Sequence, residues 1–133
     1  MDIWNLPGGG MKSNETPQYT LKREVKEETG LTISVKKLVA LNPKPQDNEL
    51  VLTYECEIVK GKIIETDEVD KHKWFQYDNL PINTVPKQLE RICYFFKKPE
   101  IVFQDTQDQQ STKDLLASGK LEEFNKKLIS KSF

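Results

Sequence analysis

The sequence has little of what marks membrane, secreted or nucleic-acid-binding proteins. No apolar run approaches the roughly 20 residues that a membrane span needs, and the N-terminus lacks the charged and then hydrophobic pattern of a secretory signal. The two cysteines, Cys56 and Cys93, lie far apart and suit reduced thiols better than a disulfide framework. The 20 basic residues are balanced in number by 21 acidic ones. No overall positive charge therefore indicates a nucleic acid or an anionic membrane as partner. We expect a cytoplasmic protein that recognises any phosphate group locally.

Length and periodicity predict one small α/β domain. The 133 residues, 36% of them hydrophobic, suffice for one core and are too few to promise two. We predict a single domain over 1–133, with a core at 1–100 and a C-terminal extension at 101–133 that carries an amphipathic helix. The predicted elements are a helix at 17–29, strands at 31–41 and 50–59, a strand within 69–77, a helix at 86–98 and a last helix from 112 that Gly119 weakens or breaks. Residues 104–110 have a linker-like composition.

The first predicted helix gathers three acids where helix chemistry disfavours them. Glu27 and Glu28 follow Glu24 by three and four residues, so the three acids share one face of the helix just before Gly30. Their mutual repulsion and their opposition to the helix dipole cost about 1 to 3 kcal/mol together. A solvated acidic surface is the plainer interpretation. A bound Mg²⁺ or Mn²⁺ is the sharper one, because these hard cations take oxygen ligands and would turn the repulsion into coordination.

Three consecutive glycines precede this helix and favour the metal interpretation. Gly8, Gly9 and Gly10 follow a proline, and without Cβ atoms their backbone can approach a ligand or an ion closely. A glycine run alone most often makes a turn. Here the loop could fold across the acidic end of the helix, so that backbone and side-chain oxygens surround an ion.

These residues resemble the Nudix box, G-x5-E-x7-R-E-U-x-E-E-x-G-U, in which U is a bulky aliphatic residue. The matching positions are Gly9, Glu15, Arg23, Glu24, Val25, Glu27, Glu28, Gly30 and Leu31. The flanking Trp4 and Leu6-Pro7-Gly8 are similar to the family's lead-in. The resemblance implies an α/β/α sandwich around a mixed sheet, and hydrolysis of a nucleoside diphosphate linked to another group.

The resemblance also implies roles for the matching residues. Glu24, Glu27 and Glu28 would hold the divalent ions, with the carbonyl of Gly8 as a further ligand. Arg23 would orient the acids and Glu15 would contribute through water. Glu24 is the first choice as general base, and Glu68, in a later acidic turn, is the second choice as base or extra metal ligand. The glycine loop, Gly8 to Gly10, would bind the substrate.

One departure from the family concerns the start of the chain. Nudix domains have about one or two strands ahead of the box, whereas only a few residues stand there in this sequence, so we expect a fold that lacks the N-terminal strand or strands. The gene start is then assigned too late, or a strand comes from a partner chain or from the C-terminal extension. An uncovered sheet edge would invite pairing with another chain, so homodimerisation is a hypothesis.

The substrate is weakly encoded. We expect a nucleotide-type small molecule, and we prefer a MutT-like nucleoside triphosphate pyrophosphohydrolase. The alternative is an ADP-ribose or other nucleoside-diphosphate-sugar pyrophosphatase, because Pro45 lies near the place where a proline marks that branch of the family. A Nudix-fold binding module without turnover and a structural domain with an incidental acidic helix are the competing functions.

Overall fold

The computed structural model describes residues 2–63 and 72–133. Its helices are α1 (Pro17–Thr29), α2 (Pro86–Lys97), α3 (Thr112–Ser118) and α4 (Leu121–Ser130), and its strands are β1 (Thr32–Lys44), β2 (Glu49–Lys60) and β3 (Phe103–Gln104). Short 3-10 turns lie at Pro45–Asp47 and Tyr77–Asn79. No helix in the described ranges is long and apolar enough to span a membrane.

Helix α1 has the predicted bounds because both of its ends are fixed by local chemistry. The Thr16 hydroxyl accepts a hydrogen bond from the Tyr19 amide at 3.2 Å, and Pro17 occupies the first turn. At the other end Gly30 takes a left-handed conformation (φ 80°) and donates its N–H to the carbonyl of Lys26. These caps place the three glutamates in the last two turns of the helix.

The described strands form one mixed sheet with the order β2-β1-β3. Strand β3 runs parallel to β1, with Ala40 opposite Phe103 and Leu41 opposite Gln104. Strands β1 and β2 are neighbours joined by only four residues, a connection that antiparallel strands allow and parallel strands do not. The predicted α/β class with a mixed sheet is confirmed.

The C-terminal segment contributes to the sheet, and residues 104–110, although linker-like in composition and too short to separate domains, include both a strand residue and a buried one. Gln104 pairs within β3, and Gln107 is buried. The side chain of Gln107 accepts a hydrogen bond from Arg91 Nε at 2.9 Å and donates to Glu90 and to the carbonyl of Lys87. A glutamine can be buried when its amide finds partners. Strand β3 lies in the C-terminal extension, and whether it takes the place of an N-terminal strand stays a prediction.

The predicted strand around Trp74 is wrong for the residues that the structure describes. No strand is assigned to 72–76, and a 3-10 turn follows at Tyr77–Asn79; the earlier part of that prediction lies outside the described residues. Phe75 packs edge to face against Trp4 with ring centroids 4.9 Å apart. Aromatic rings pack equally well without a strand ladder, so the aromatic pair was a poor indicator of a strand.

Strand β1 also differs from its prediction, since it continues past Pro43 to Lys44. A proline is compatible with a strand where no ladder bond needs its missing N–H. The break predicted after Gly119 is confirmed: Ser111 caps α3, Gly119 takes φ 71°, and α4 begins at Leu121.

The chain divides into two compact units, each with a core of its own. One unit comprises Met1–Asn5, Leu38–Thr53 and Phe75–Phe133, and its core is built on Leu89, Cys93 and Leu128. The other comprises Leu6–Lys37 and Tyr54–Trp74, with Val25, Leu31 and Ile33 buried at its centre. All the described residues that the sequence places in the site belong to this second unit. The organisation as one domain stays a prediction.

Candidate active site

The glycine loop lies against the acidic end of α1 and contacts it at three points. The backbone N–H of Gly8 donates to Glu28 Oε2 at 3.1 Å. Gly9 lies beside the carboxylate of Glu24. The carbonyl of Gly10 accepts from Arg23 Nη2 at 3.4 Å. The glycine loop therefore lies against the part of α1 that carries the acids.

The backbone of Gly9 lies where a side chain would meet the carboxylate of Glu24. A Cβ built on Gly9 would lie 2.4 Å from Glu24 Cδ and 2.6 Å from each carboxylate oxygen. Separations this short are not tolerated between non-bonded carbon and oxygen atoms. By contrast, a Cβ on Gly10 would meet no heavy atom within 4 Å. A side chain at position 9 would therefore displace the Glu24 carboxylate or the loop from the arrangement seen here.

Arg23 forms hydrogen bonds with two carboxylates of the box, Glu15 and Glu24. Its Nε donates to Glu15 Oε2 at 2.7 Å and its Nη2 donates to Glu15 Oε1 at 2.9 Å, a two-pronged pair that fixes the guanidinium plane. Its Nη1 then donates to Glu24 Oε1 at 2.8 Å. The contact with Glu27 is longer, at 3.4 Å, and the Glu27 side chain is 58% exposed. Arg23 therefore orients Glu24 far more firmly than it orients Glu27.

Glu15 is the best-satisfied carboxylate of this site. Besides Arg23, it accepts hydrogen bonds from the Lys12 amide at 2.8 Å and from the Thr20 hydroxyl at 2.9 Å. The hydrogen bonds from Arg23, then that from Lys12, lower the pKa of Glu15 to about 2, although burial works in the opposite direction. The same carboxylate raises the pKa of Arg23. Glu15 is therefore an anion throughout the neutral range, and it anchors Arg23.

This shift predicts an acid-dependent contribution of Glu15 to stability. A carboxyl group whose pKa is lower in the folded chain stabilises the fold above its unfolded pKa, and this contribution is lost as the pH falls towards its folded pKa. We expect the stability difference between the parent and Glu15→Gln to be largest above about pH 4.5, the ordinary value, and to shrink towards pH 2. Urea unfolding at a series of pH values measures this difference.

Glu57→Gln is the matched control for this experiment. Its carboxylate pairs with Lys36 at 2.8 Å, but it is 63% exposed, and exposed pairs contribute about 0 to 1 kcal/mol. The control should follow the parent across the acid range. A parent and a Glu15→Gln variant whose stabilities run parallel from pH 6 to pH 2 would contradict the assignment.

The acids of α1 have the donor chemistry of a hard divalent cation, but as placed in the structure they do not form an ion site. Three carboxylates occupy adjacent turns, and the missing Cβ of Gly9 leaves the loop backbone directly beside Glu24. Within residues 2–63 and 72–133 no three acidic, histidine or cysteine side chains meet closely enough to hold an ion. In this conformation Glu24 accepts from Arg23, and Glu28 accepts from Gly8. The donor set is that of Mg²⁺ or Mn²⁺, and the assignment of ligands stays a prediction.

The structure brings together most of the predicted site residues. Those in contact with one another are Gly8, Gly9, Gly10, Glu15, Arg23, Glu24, Glu27 and Glu28. Glu68, the second choice as general base, lies outside the described residues. Glu15 contacts Arg23 directly, and its role through water stays a prediction. Sequence reasoning missed Thr20, because a threonine in a helix carries no signal of the carboxylate it will meet.

Comparison with known proteins shows the family of this chain. The family model described as the NUDIX domain matches residues 2–95, which is more than half of the chain. Together with the fold and the geometry of the box, this match establishes that the chain belongs to the Nudix family.

The individual relatives share about a third or less of their aligned residues with this chain, and they are longer proteins. An ADP-ribose pyrophosphatase of Methanocaldococcus jannaschii is 30% identical over 80 residues, covering 57% of this chain and 47% of the relative. An NAD-capped RNA hydrolase NudC of Shigella dysenteriae is 31% identical over 90 residues, 67% of this chain and 35% of that protein. The chain thus spans less than half the length of these curated relatives.

A solved structure shares the fold. The crystal structure of UDP-X diphosphatase matches with a TM-score of 0.61 at 24% identity, over 78% of this chain and 56% of that one. At this identity the likeness concerns the fold alone.

Proposed function

We propose that this protein is a metal-dependent hydrolase that cleaves a phosphoanhydride bond in a nucleoside diphosphate derivative. The observation that carries the proposal is the proximity of Gly9 to the Glu24 carboxylate, which also accepts a hydrogen bond from Arg23. A solvated acidic helix needs neither a glycine at that position nor an anchored arginine. An active site in which the Glu24 carboxylate takes part in the reaction accounts for both the glycine and the anchored arginine.

In the proposed reaction Glu24 acts as the general base, and the glycine loop binds the diphosphate. Water attacks phosphorus, the P–O–P bond breaks, and a nucleoside monophosphate leaves together with a second phosphorylated product. Glu24 takes the proton of the attacking water, because its side chain is 18% exposed and Arg23 fixes its orientation. The glycine loop admits the diphosphate close to its backbone, where side chains would block it. Glu68 remains the second candidate for the base.

The ligands for a divalent ion are Glu24, Glu27 and Glu28, with the carbonyl of Gly8 as a further one. Mg²⁺ or Mn²⁺ bound there would neutralise phosphate charge and lower the pKa of the attacking water. Glu27 suits a ligand role because its contact with Arg23 is long and most of its side chain is exposed.

The names of the relatives favour a nucleoside diphosphate linked to a further group. One relative is named for ADP-ribose and the other for NAD-capped RNA. The position of Pro45 agrees with an ADP-ribose-like substrate. A MutT-like nucleoside triphosphate pyrophosphohydrolase is the second candidate.

A substrate panel tests the proposal. Purified protein is incubated with ADP-ribose, NAD⁺, a UDP-sugar and the common nucleoside triphosphates, each with Mg²⁺ or Mn²⁺, and the products are separated by chromatography. We expect turnover of at least one diphosphate-linked compound with release of a nucleoside monophosphate.

Glu27→Gln is the reference variant for this panel, measured at the same metal concentration as the parent, because it removes one carboxylate with little change of shape. Equal rates for parent and variant, or no turnover of any compound, would remove the enzymatic function and leave a Nudix-fold binding module. Turnover restricted to triphosphates, with release of pyrophosphate, would select the second candidate.

A further inference from the structure

Thr20 lies outside the fixed positions of the box but touches its anchor. Its side chain is 4% exposed and lies on the same helix as the acids. The Thr20 hydroxyl donates to Glu15 Oε1 at 2.9 Å. Threonine has no special preference for the interior of a helix, so this buried hydroxyl is best explained by the carboxylate it contacts.

The contacts form a chain from Thr20 to Glu24. Glu15 Oε1 accepts from Thr20, from the Lys12 amide and from Arg23 Nη2, while Glu15 Oε2 accepts from Arg23 Nε. A carboxylate held on this many sides has one orientation, and so has the guanidinium that it binds in two places. Arg23 Nη1 then reaches Glu24 Oε1.

We propose that Thr20 is a positioning residue for the reaction: through Glu15 and Arg23 it fixes the carboxylate of Glu24 in the orientation that removes a proton from water. The catalytic consequence of this inference rests on the proposed function. The structural part, which concerns only the order of the Arg23 side chain, is independent of the proposed function. Removal of the hydroxyl leaves Glu15 held by Lys12 and Arg23 alone, and we expect Glu15, Arg23 and Glu24 to be less firmly oriented.

Two variants of Thr20 separate positioning from packing. Thr20→Val keeps the shape and removes the hydroxyl, whereas Thr20→Ser keeps the hydroxyl and removes a methyl group. We expect Thr20→Val to lower kcat about 10-fold, the size associated with loss of a hydrogen bond to a charged group, with KM within about twofold of the parent. Thr20→Ser should restore at least half of the lost kcat.

Thr84→Val is the matched control. Thr84 is similarly buried, at 6% exposure, and its hydroxyl donates to the backbone carbonyl of Pro81 rather than to a carboxylate. We expect this variant to lose stability in the same way as Thr20→Val and to keep kcat. Equal losses of kcat in Thr84→Val and Thr20→Val would overturn the proposal, since the effect would then follow stability.

A measurement without substrate tests the structural part separately. In ¹H–¹⁵N spectra, the Nε–H of a guanidinium held by a carboxylate exchanges slowly with water. We expect a slowly exchanging Arg23 signal in the parent and in Thr20→Ser, and at least a 5-fold faster exchange in Thr20→Val. Glu15→Gln serves as the positive reference for loss of the anchor.

The outcomes distinguish failure of the inference from failure of the proposed function. If the parent hydrolyses nothing but the Arg23 signal responds to Thr20→Val, the proposed function fails and the positioning contact stands. If the parent is active and Thr20→Val changes neither kcat nor the Arg23 signal, the inference is overturned and the function stands. Should Thr20→Val fail to fold, the exchange rate of the Arg23 Nε–H is measured in Thr20→Ala at low temperature. An exchange rate unchanged from that of the parent overturns the inference.

Discussion

Glu24→Gln should lower kcat by about 10² to 10⁴-fold, the range that a positioned general base contributes. The amide cannot take a proton from water, but its oxygen can still accept the hydrogen bond from Arg23 Nη1, so the site should keep its arrangement. Steady-state rates on the best substrate of the panel measure the loss. Thermal unfolding of the variant should stay close to that of the parent.

Glu27→Gln provides the comparison that separates a base from a ligand. The Glu27 side chain is 58% exposed and touches Arg23 only at 3.4 Å. Its loss should weaken the ion site, so raised Mn²⁺ should restore part of the rate. The Glu24→Gln variant should stay inactive at the same concentration. Full restoration of Glu24→Gln by Mn²⁺ would show that Glu24 acts as a ligand only, and the base would then be sought elsewhere, first at Glu68.

Gly9→Ala should reduce kcat/KM by about 100-fold, the cost of a displacement of about 1 Å in an active site. The new methyl group would lie 2.4 Å from Glu24 Cδ, so either the loop or the carboxylate must move. Gly9 is exposed, and the loop can shift outwards without disturbing the core. We therefore expect a large loss of activity with little change in the melting temperature.

Gly10→Ala is the matched control in the same loop. The added Cβ meets no heavy atom within 4 Å, and Gly10 is not among the glycines with positive φ. Its effect on kcat/KM should be at least tenfold smaller than that of Gly9→Ala. Two alanine variants with the same activity would show that the loop tolerates a side chain at either position, and the contact between Gly9 and Glu24 would lose its catalytic meaning.

Local sequence was sufficient for the elements with strong end signals. Thr16, Pro17 and Gly30 define α1 because capping depends on residues within one helical turn. Gly119 separates α3 from α4 for the same reason, since its left-handed conformation lies at the C-terminal end of α3. The order of the acids along α1 also follows from helical periodicity alone.

Local sequence was insufficient where a residue is fixed by distant partners. The polar residues around Gln107 resemble a linker in composition, but Arg91 and Glu90 provide hydrogen bonds for its buried amide. The aromatic pair at Trp74 and Phe75 suggested a strand, whereas the described part of that segment has none. At Gln107, hydrogen bonds to residues of helix α2 outweighed the composition of the surrounding stretch.

The sequence by itself determined the family, the helix that carries Glu24, Glu27 and Glu28, and the glycines that precede it, because each of these depends on spacing within a short segment. Only the tertiary structure decided that Gly9 contacts Glu24, that Arg23 binds Glu15 more closely than Glu27, and that Thr20 completes the anchor. The physical reason is that a side chain chooses among partners by geometry and burial, and these exist only when loop and helix have folded against each other.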